Sequence, residues 1–345
     1  MKKILIGIDF AKEKFDVCAI CATGVSITSE ERRAPLANSK QGLRSLLAWA
    51  RALCRKWHTD ELLFCGEHTG CYSRLAADYI YGKGFDLWLA NPLEVKRSNP
   101  LQRLKSDASD ARMIAEYAMR HYDERRIYAS PSQALSDLRE LCSYRQGLVR
   151  QKMETAVRSA EKQRILAKSP TLAFIKKDAE QRIRQLRESI RQCDERIKEL
   201  LIQDEELRET YEIVTSVPGV GVQTAATLIV QTDNFSKFGL DPRRMACYFG
   251  LAPFGRDSGS SVHASPRVSR FCNKGAKAAL HEPALTATRH NPVLRAYYQR
   301  LLSRGKPKML ALNNVKSKLL HIIAALVRKR QKFSPAYAHP LALPA

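Results

Sequence analysis

Two rhythms of apolar and polar positions run along this chain, and the change from one to the other divides it. Residues 3–9, KILIGID, are an apolar run ending on Asp9, the pattern of a central strand buried on both faces. FDVCAI follows Lys14, and Ala22–Gly24 reads as a turn toward a third strand, so an antiparallel meander opens the chain. Leu43 to Trp57 reads as a helix with Leu43, Leu46, Leu47, Ala50 and Leu53 or Cys54 on one face. ELLFCGE is a further buried strand ending at Glu67. Thr69 to Tyr81 reads as a helix, Phe85 to Ala90 as a strand closed by Asn91-Pro92, and Asp107 to His121 as a helix capped near Ser106. A meander followed by alternating helix and strand predicts an α/β domain with a mixed sheet.

From about Leu135 to Val214 the chain is long, charged and almost free of glycine. Ile183, Leu186, Ile190, Cys193, Ile197, Leu200, Asp204, Leu207, Tyr211 and Val214 step by threes and fours, the rhythm of a coiled coil, with only Asp204 interrupting the stripe. Pairing of two copies along this segment is expected; packing of an amphipathic helix on its own domain would leave the same stripe. SVPGVGVQTAATLIV follows, where Pro218-Gly219-Val220-Gly221 makes a tight turn between two helices. Such a helix-hairpin-helix brings backbone close to a phosphate at Gly219 and Gly221, although a plain structural hairpin has the same form. The final SPAYAHPLALPA reads as a poorly ordered tail.

Charge narrows the function. Of 345 residues, 58 are Lys or Arg and 35 Asp or Glu, a net charge of +23. From Arg243 onward there are 19 basic residues against Asp257 and Glu282 alone, so +17 of the excess is C-terminal. A solvated surface would mix the signs; this asymmetry points to a polyanion, and to nucleic acid rather than an ordinary small metabolite. No run approaches the roughly 18–20 apolar residues of a spanning helix, and the N-terminal apolar run stops at Asp9, so a cytoplasmic protein without a membrane partner is expected. Nine scattered cysteines fit reduced thiols, and Cys18-x-x-Cys21 without a second pair at zinc spacing reads as structural.

Two constellations carry candidate chemistry. Asp9 and Glu67 each end a buried strand, where a charge is costly unless it coordinates something, and Asp107 and Asp110 lie three apart on one helix. Helix capping by Asp107 and a surface ion pair for Asp110 are the plain alternatives. Together on a strand-meander frame, the four describe an RNase H-like site in which hard Mg²⁺ ions take oxygen ligands, with Mn²⁺ as a possible substitute. The second constellation is Asp257-Ser258-Gly259-Ser260-Ser261, read as a polar loop, with Arg256, Arg267, Arg270 and Lys274 around it and Lys277 beyond. A serine hydroxyl needs a base or metal to activate it, and cations to receive the charge that develops on a phosphate.

GIDFAKEKFDV with Asp9, CGEHTG with Glu67, SDASDARMIAEY with Asp107 and Asp110, SVPGVGVQTA, and FGLAPFGRDSGSSV with Ser258 occur in this order from about Lys3 to Ala325. This series resembles the DEDD transposases of bacterial insertion sequences and the related Piv-type DNA invertases. The resemblance implies a RuvC-like, RNase H-like α/β domain over residues 1–130 and a helical coiled-coil dimerisation segment over 131–212. A mainly α-helical transposase domain with the helix-hairpin-helix follows over 213–333, then a tail over 334–345. It further implies metal-binding acids at Asp9, Glu67, Asp107 and Asp110, and a catalytic Ser258 that forms a phosphoserine intermediate with DNA. A structured bridge RNA pairing with donor and target DNA is implied too, as are strand exchange through a Holliday junction and a homo-oligomer in the synapse. His68 and the pair Ala278-Ala279 depart from the family pattern, the latter moving a phosphate contact to Lys274 or Lys277. A metal-dependent nuclease or Holliday-junction resolvase acting through water, and a non-catalytic nucleic-acid scaffold, are the alternatives.

Overall fold

The computed structural model describes residues 1–98, 107–165, 169–258 and 262–334; the side chains of residues 71, 107, 108, 256–258 and 262–265 lie outside that description. Ser106, expected as a helix cap, Ser260, Ser261 and most of the expected tail fall outside the described residues. The chain forms two compact units, residues 1–130 and 131–345.

In the first unit, β1 (Lys2–Phe10), β2 (Lys14–Thr23) and β3 (Ser26–Ala37) form the antiparallel meander. α1 (Lys40–Trp57) follows, its N-terminus capped by the Ser39 hydroxyl, which accepts from the Gly42 amide. Then come β4 (Leu62–Glu67), α2 (Cys71–Tyr81), β5 (Leu87–Ala90), α3 (Pro92–Ser98) and α4 (Asp107–Arg120). The sheet order is β3-β2-β1-β4-β5, with β4 parallel to β1 and β5 parallel to β4. This mixed five-stranded sheet, with its meander at one edge, is the frame expected of an RNase H-like domain.

The apolar run in β1 serves two cores. Ile4, Ile6 and Ile8 pack with Leu43, Leu46 and Leu53 of α1 and Ala76 and Ile80 of α2. Leu5 packs on the opposite face with Ala111, Ile114 and Ala115 of α4. A Cβ on Gly7 would sit 2.0 Å from the Ala111 carbonyl oxygen and 2.5 Å from the Ala115 amide nitrogen, so the backbone of α4 rests directly on this glycine. At the far end of β1, the Lys3 ammonium lies 3.4 Å from the centroid of Tyr122, just past the end of α4. The helix therefore runs antiparallel to β1, and its first turn lies toward Asp9.

In the second unit, α5 (Gln133–Ile165) and α6 (Pro170–Gln203) form a helical hairpin in which Leu148 packs on Ile190 and Cys193. Arg145 pairs with Asp194 across it. The expected single stripe is thus two helices. Asp204 leaves helical geometry and accepts a hydrogen bond from the Leu207 amide at 2.9 Å, capping α7 (Glu205–Thr215). Ile197, Leu201, Leu207 and Val214 then enter the core of this unit, with Leu201 buried where the rhythm points to Leu200.

α8 (Val222–Gln231), α9 (Pro242–Tyr248), a hairpin of β6 (Pro253–Ser258) and β7 (Val262–Val268), and α10 (Lys274–Ala279) follow, then α11 (His281–His290), α12 (Pro292–Ser303) and α13 (Lys308–Lys329). Contrary to the reading of the sequence, α13 is long and apolar enough to cross a membrane. It is a core helix, with 67% of its most apolar stretch buried inside the unit.

Gly7→Ala is expected to destabilise the protein by about 3 kcal/mol, because the clashing atoms are backbone and cannot rotate away. The check is the urea midpoint, which should fall while the slope is kept. An unchanged midpoint would mean that α4 is not seated on this glycine.

Candidate active site and nucleic-acid surface

Asp9 is the penultimate residue of β1 and Glu67 the last of β4. In the parallel register Ile8 lies beside Gly66, so Asp9 and Glu67 follow side by side. Alternation puts both on the α4 face of the sheet, the face that buries Leu5, Leu63 and Cys65. Asp110, half-buried, immediately precedes Ala111, whose carbonyl oxygen lies over Gly7. Strand ends and helix start therefore bring Asp9, Glu67 and Asp110 to one end of one face. Asp107 opens α4 in the same turn, and its side chain lies outside the description.

A fifth carboxylate stands with them. Asp16 pairs with Asp9 across the β1–β2 hairpin, shares its face and is 8% exposed, with the Lys14 ammonium 3.6 Å away. Like charges directly opposite on neighbouring strands repel, so the pair raises the cost of Asp9 unless a cation offsets it. Sequence reasoning missed Asp16. The signal was the tight turn after Phe10, which pairs residues equidistant from it.

The donor set is all carboxylate oxygen, which fits a hard divalent cation. Among the described residues no three His, Cys, Asp or Glu side chains close on a common point as a ready-made cage. His68 is exposed, and its Nδ1 accepts from the Gly70 amide at 3.3 Å, which ties it to the turn before α2. Cys18 and Cys21, three apart on a strand, join cores on opposite faces of the sheet and cannot share a metal. Burial pushes the Cys18 thiol up to about 11 and the Cys65 thiol up as well, so neither is a ready nucleophile.

The serine motif differs from the expected loop. Asp257 and Ser258 belong to β6, where Ser258 is the last residue and pairs with Val262; only residues 259–261 intervene. Arg256 lies in β6 and Arg267 in β7, opposite Phe254. Arg267, Arg270 and Lys274 are exposed and Lys277 half-buried. The side chains of Arg256 and Ser258 lie outside the description.

Gly219 has φ +98°, and a Cβ there would meet the Ala287 amide nitrogen and the Pro283 carbonyl oxygen at 2.9 Å. The close approach it permits is to α11. Gly221 is exposed and caps α8. The first turn of α8 borders a cavity of about 430 Å³ lined by Arg191 and Lys198 but also by Asp194 and Glu195. The Asp194 carboxylate accepts from Gln223 Nε2 at 2.6 Å, so an incoming phosphate would meet negative charge there as well as positive.

Comparison with known proteins agrees with the series of motifs. A family model described as a DEDD transposase of IS110 type matches residues 6–168, and a transposase model of the IS116/IS110/IS902 family matches residues 211–299. The chain is 27% identical over 337 residues to the pilin gene-inverting protein of Moraxella bovis, covering 96% of this chain and 98% of that one. It is 34% identical over 116 residues to an IS110 insertion-element protein of Streptomyces coelicolor, covering 34% and 28%. Among solved structures, Thermus thermophilus RuvC with a Holliday junction substrate covers 36% of this chain and 99% of its own, at 11% identity and a TM-score of 0.28. With two models of one family matching successive parts of it, the chain belongs to the IS110-type DEDD transposases.

Proposed function

We propose that the chain is a transposase or site-specific recombinase that cuts and rejoins DNA through a covalent serine–phosphate intermediate, under the direction of a structured guide RNA. The observation that carries this reading is the gathering of Asp9, Glu67 and the first turn of α4 at one end of one sheet face. Asp9, Glu67, Asp107 and Asp110 would hold the divalent cation, Mg²⁺ or Mn²⁺. When bound, that ion supplies Lewis-acid polarisation of a phosphate oxygen and lowers the pKa of an attacking hydroxyl.

In this reading the Ser258 hydroxyl attacks phosphorus. An Oγ–P ester forms as one deoxyribose oxygen–phosphorus bond breaks; the serine proton passes to a base, and the leaving sugar oxygen takes up a proton. Rejoining is the reverse attack by the hydroxyl of a second strand, which conserves bond energy without ATP. The position of Ser258 at the end of a short strand supports this role, since a tip residue can reach into a groove. Arg256, Arg267, Arg270, Lys274 and Lys277, with Gly221 at the start of α8, would contact the nucleic-acid backbone. The DNA-cutting acids, the helical segment over 131–212 and the transposase domain over 213–333 remain the proposed division of labour. For oligomerisation, we propose that two copies pair along the α5–α6 hairpin, whose Met153, Val157 and Phe174 are 60%, 53% and 71% exposed.

With labelled DNA spanning the element junction, Mg²⁺ and RNA from the native locus, a denaturing gel should show a protein–DNA adduct. Ser258→Ala should abolish it, and Asp9→Asn should lower its yield by about 10²-fold or more. Cleavage without an adduct would turn the reading to a water-using nuclease, and an adduct insensitive to prior removal of RNA would remove the guide.

Chelation with EDTA should stop cleavage, and added Mg²⁺ or Mn²⁺ restore it. Raised melting temperature on adding Mn²⁺, absent in Asp9→Asn, would report binding apart from activity. Sedimentation of the intact chain at micromolar concentration is expected to show a dimer that Phe174→Glu weakens; a monomer in the wild type would remove the pairing along α5–α6.

A further inference from the structure

Lys316 lies in the middle of the core helix α13, between the buried Val315 and Leu319, and is itself only 7% exposed. A lysine so placed loses most of its hydration, and a buried ammonium is normally matched by a carboxylate. Here the charge nearest in effect is another cation, Lys277 of α10, and burial together with that repulsion holds the Lys316 ammonium below the ordinary lysine range. Among the described residues no carboxylate pairs with either of the two lysines. Lys318, also buried, differs in having the Tyr297 ring 5.8 Å from its ammonium.

The surroundings of the two cations are built. Lys277 Nζ donates to the Gly250 carbonyl at 2.8 Å, and Asn313 Nδ2, one helical turn before Lys316, donates to the Leu251 carbonyl at 3.3 Å. Gly250 has φ +63°, and a Cβ there would lie 2.5 Å from Cys272 Sγ, so this corner tolerates no side chain. Beside it, Asn273 Nδ2 donates to Gln231 Oε1 at 2.6 Å and to the Tyr248 hydroxyl at 2.9 Å, and Asn273 Oδ1 caps α10. Two residues after Leu251 the chain enters β6. The cation pair thus sits at the base of the hairpin that ends in Ser258.

We propose that Lys316 and Lys277 form a binding site for a phosphate of the DNA backbone, one that holds the strand flanking the phosphodiester attacked at the tip of the hairpin. β6 rises about 3.3 Å per residue, so its tip stands some 16 Å from its base, far enough for the pair to hold a phosphate other than the one attacked. Two like charges with no carboxylate partner among the described residues are a standing cost to the free protein, and a phosphate removes it. This inference rests on the reading of the second unit as DNA-handling, and DNA is favoured over RNA because the pair lies at the root of the strand bearing the serine.

The test is binding of the full chain to a labelled 30-bp DNA duplex, by fluorescence anisotropy across a salt series, for the wild type, Lys316→Met and Lys316→Arg. Methionine fills the same volume without charge. It should raise the melting temperature of the free protein by on the order of 2–4 °C, as expected when a buried cation is removed from a domain of this size. The slope of log K against log salt should fall by about 0.9, one phosphate contact, and arginine should restore it. A lower melting temperature in Lys316→Met would make the lysine structural and overturn the proposal, as would an unchanged slope. A slope change confined to an RNA duplex would overturn it too. If the wild type itself bound no DNA, the reading of the unit would fail instead.

Discussion

The absence of a side chain at Gly7 governs the geometry of the first unit. Because nothing stands between β1 and α4, the helix backbone settles onto the strand at Ala111 and Ala115. Asp110 then lies one residue beyond that contact, at the end of the sheet where Asp9 and Glu67 finish their strands. Any larger residue would lift the helix and carry its carboxylates away from those of the strands. The catalytic proposal therefore depends on a packing contact in which no catalytic atom takes part. The same contact sets an electrostatic problem, since acids from β1, β2, β4 and α4 share one end of a face that is otherwise apolar. Such a cluster is tolerable when a cation sits in it.

The strands of the first unit are legible in the sequence because β1 is buried on both faces, and a short continuous apolar run that stops at a charge fits a central strand better than an amphipathic helix or a surface loop. Asp9 and Glu67 are legible for the same reason. Asp16 is hidden inside a second strand, where only the register of the hairpin reveals it as the partner of Asp9. The three-and-four rhythm from Ile183 to Val214 is real, but periodicity reports an apolar face and not what covers it. Here α5 and the core of the second unit cover it, and the one polar residue in the stripe, Asp204, is where the helix ends.

Turn chemistry is the least decisive signal. The DSGSS stretch has the composition of a loop, yet hairpin pairing draws Asp257 and Ser258 into β6, because ladder hydrogen bonds with β7 outweigh the weak strand preference of aspartate and serine. Gly219 invites a reading through its freedom to approach a phosphate, whereas that freedom is used to let the turn meet the backbone of α11. A glycine in a sequence states that something comes close. It does not state what.

The buried lysines of α13 extend the same argument to charge. An excess of +17 over the last 103 residues could have been a plain solvated coat, and a coat would leave its cations at the surface. Lys316 and Lys318 instead lie 7% and 6% exposed within the core helix α13. Stability alone gives no reason to keep an ammonium beside a second ammonium in that position. A polyanion does: it finds a cation already stripped of water, in a rigid helix, and the cost of desolvation has been met in folding rather than at the moment of binding.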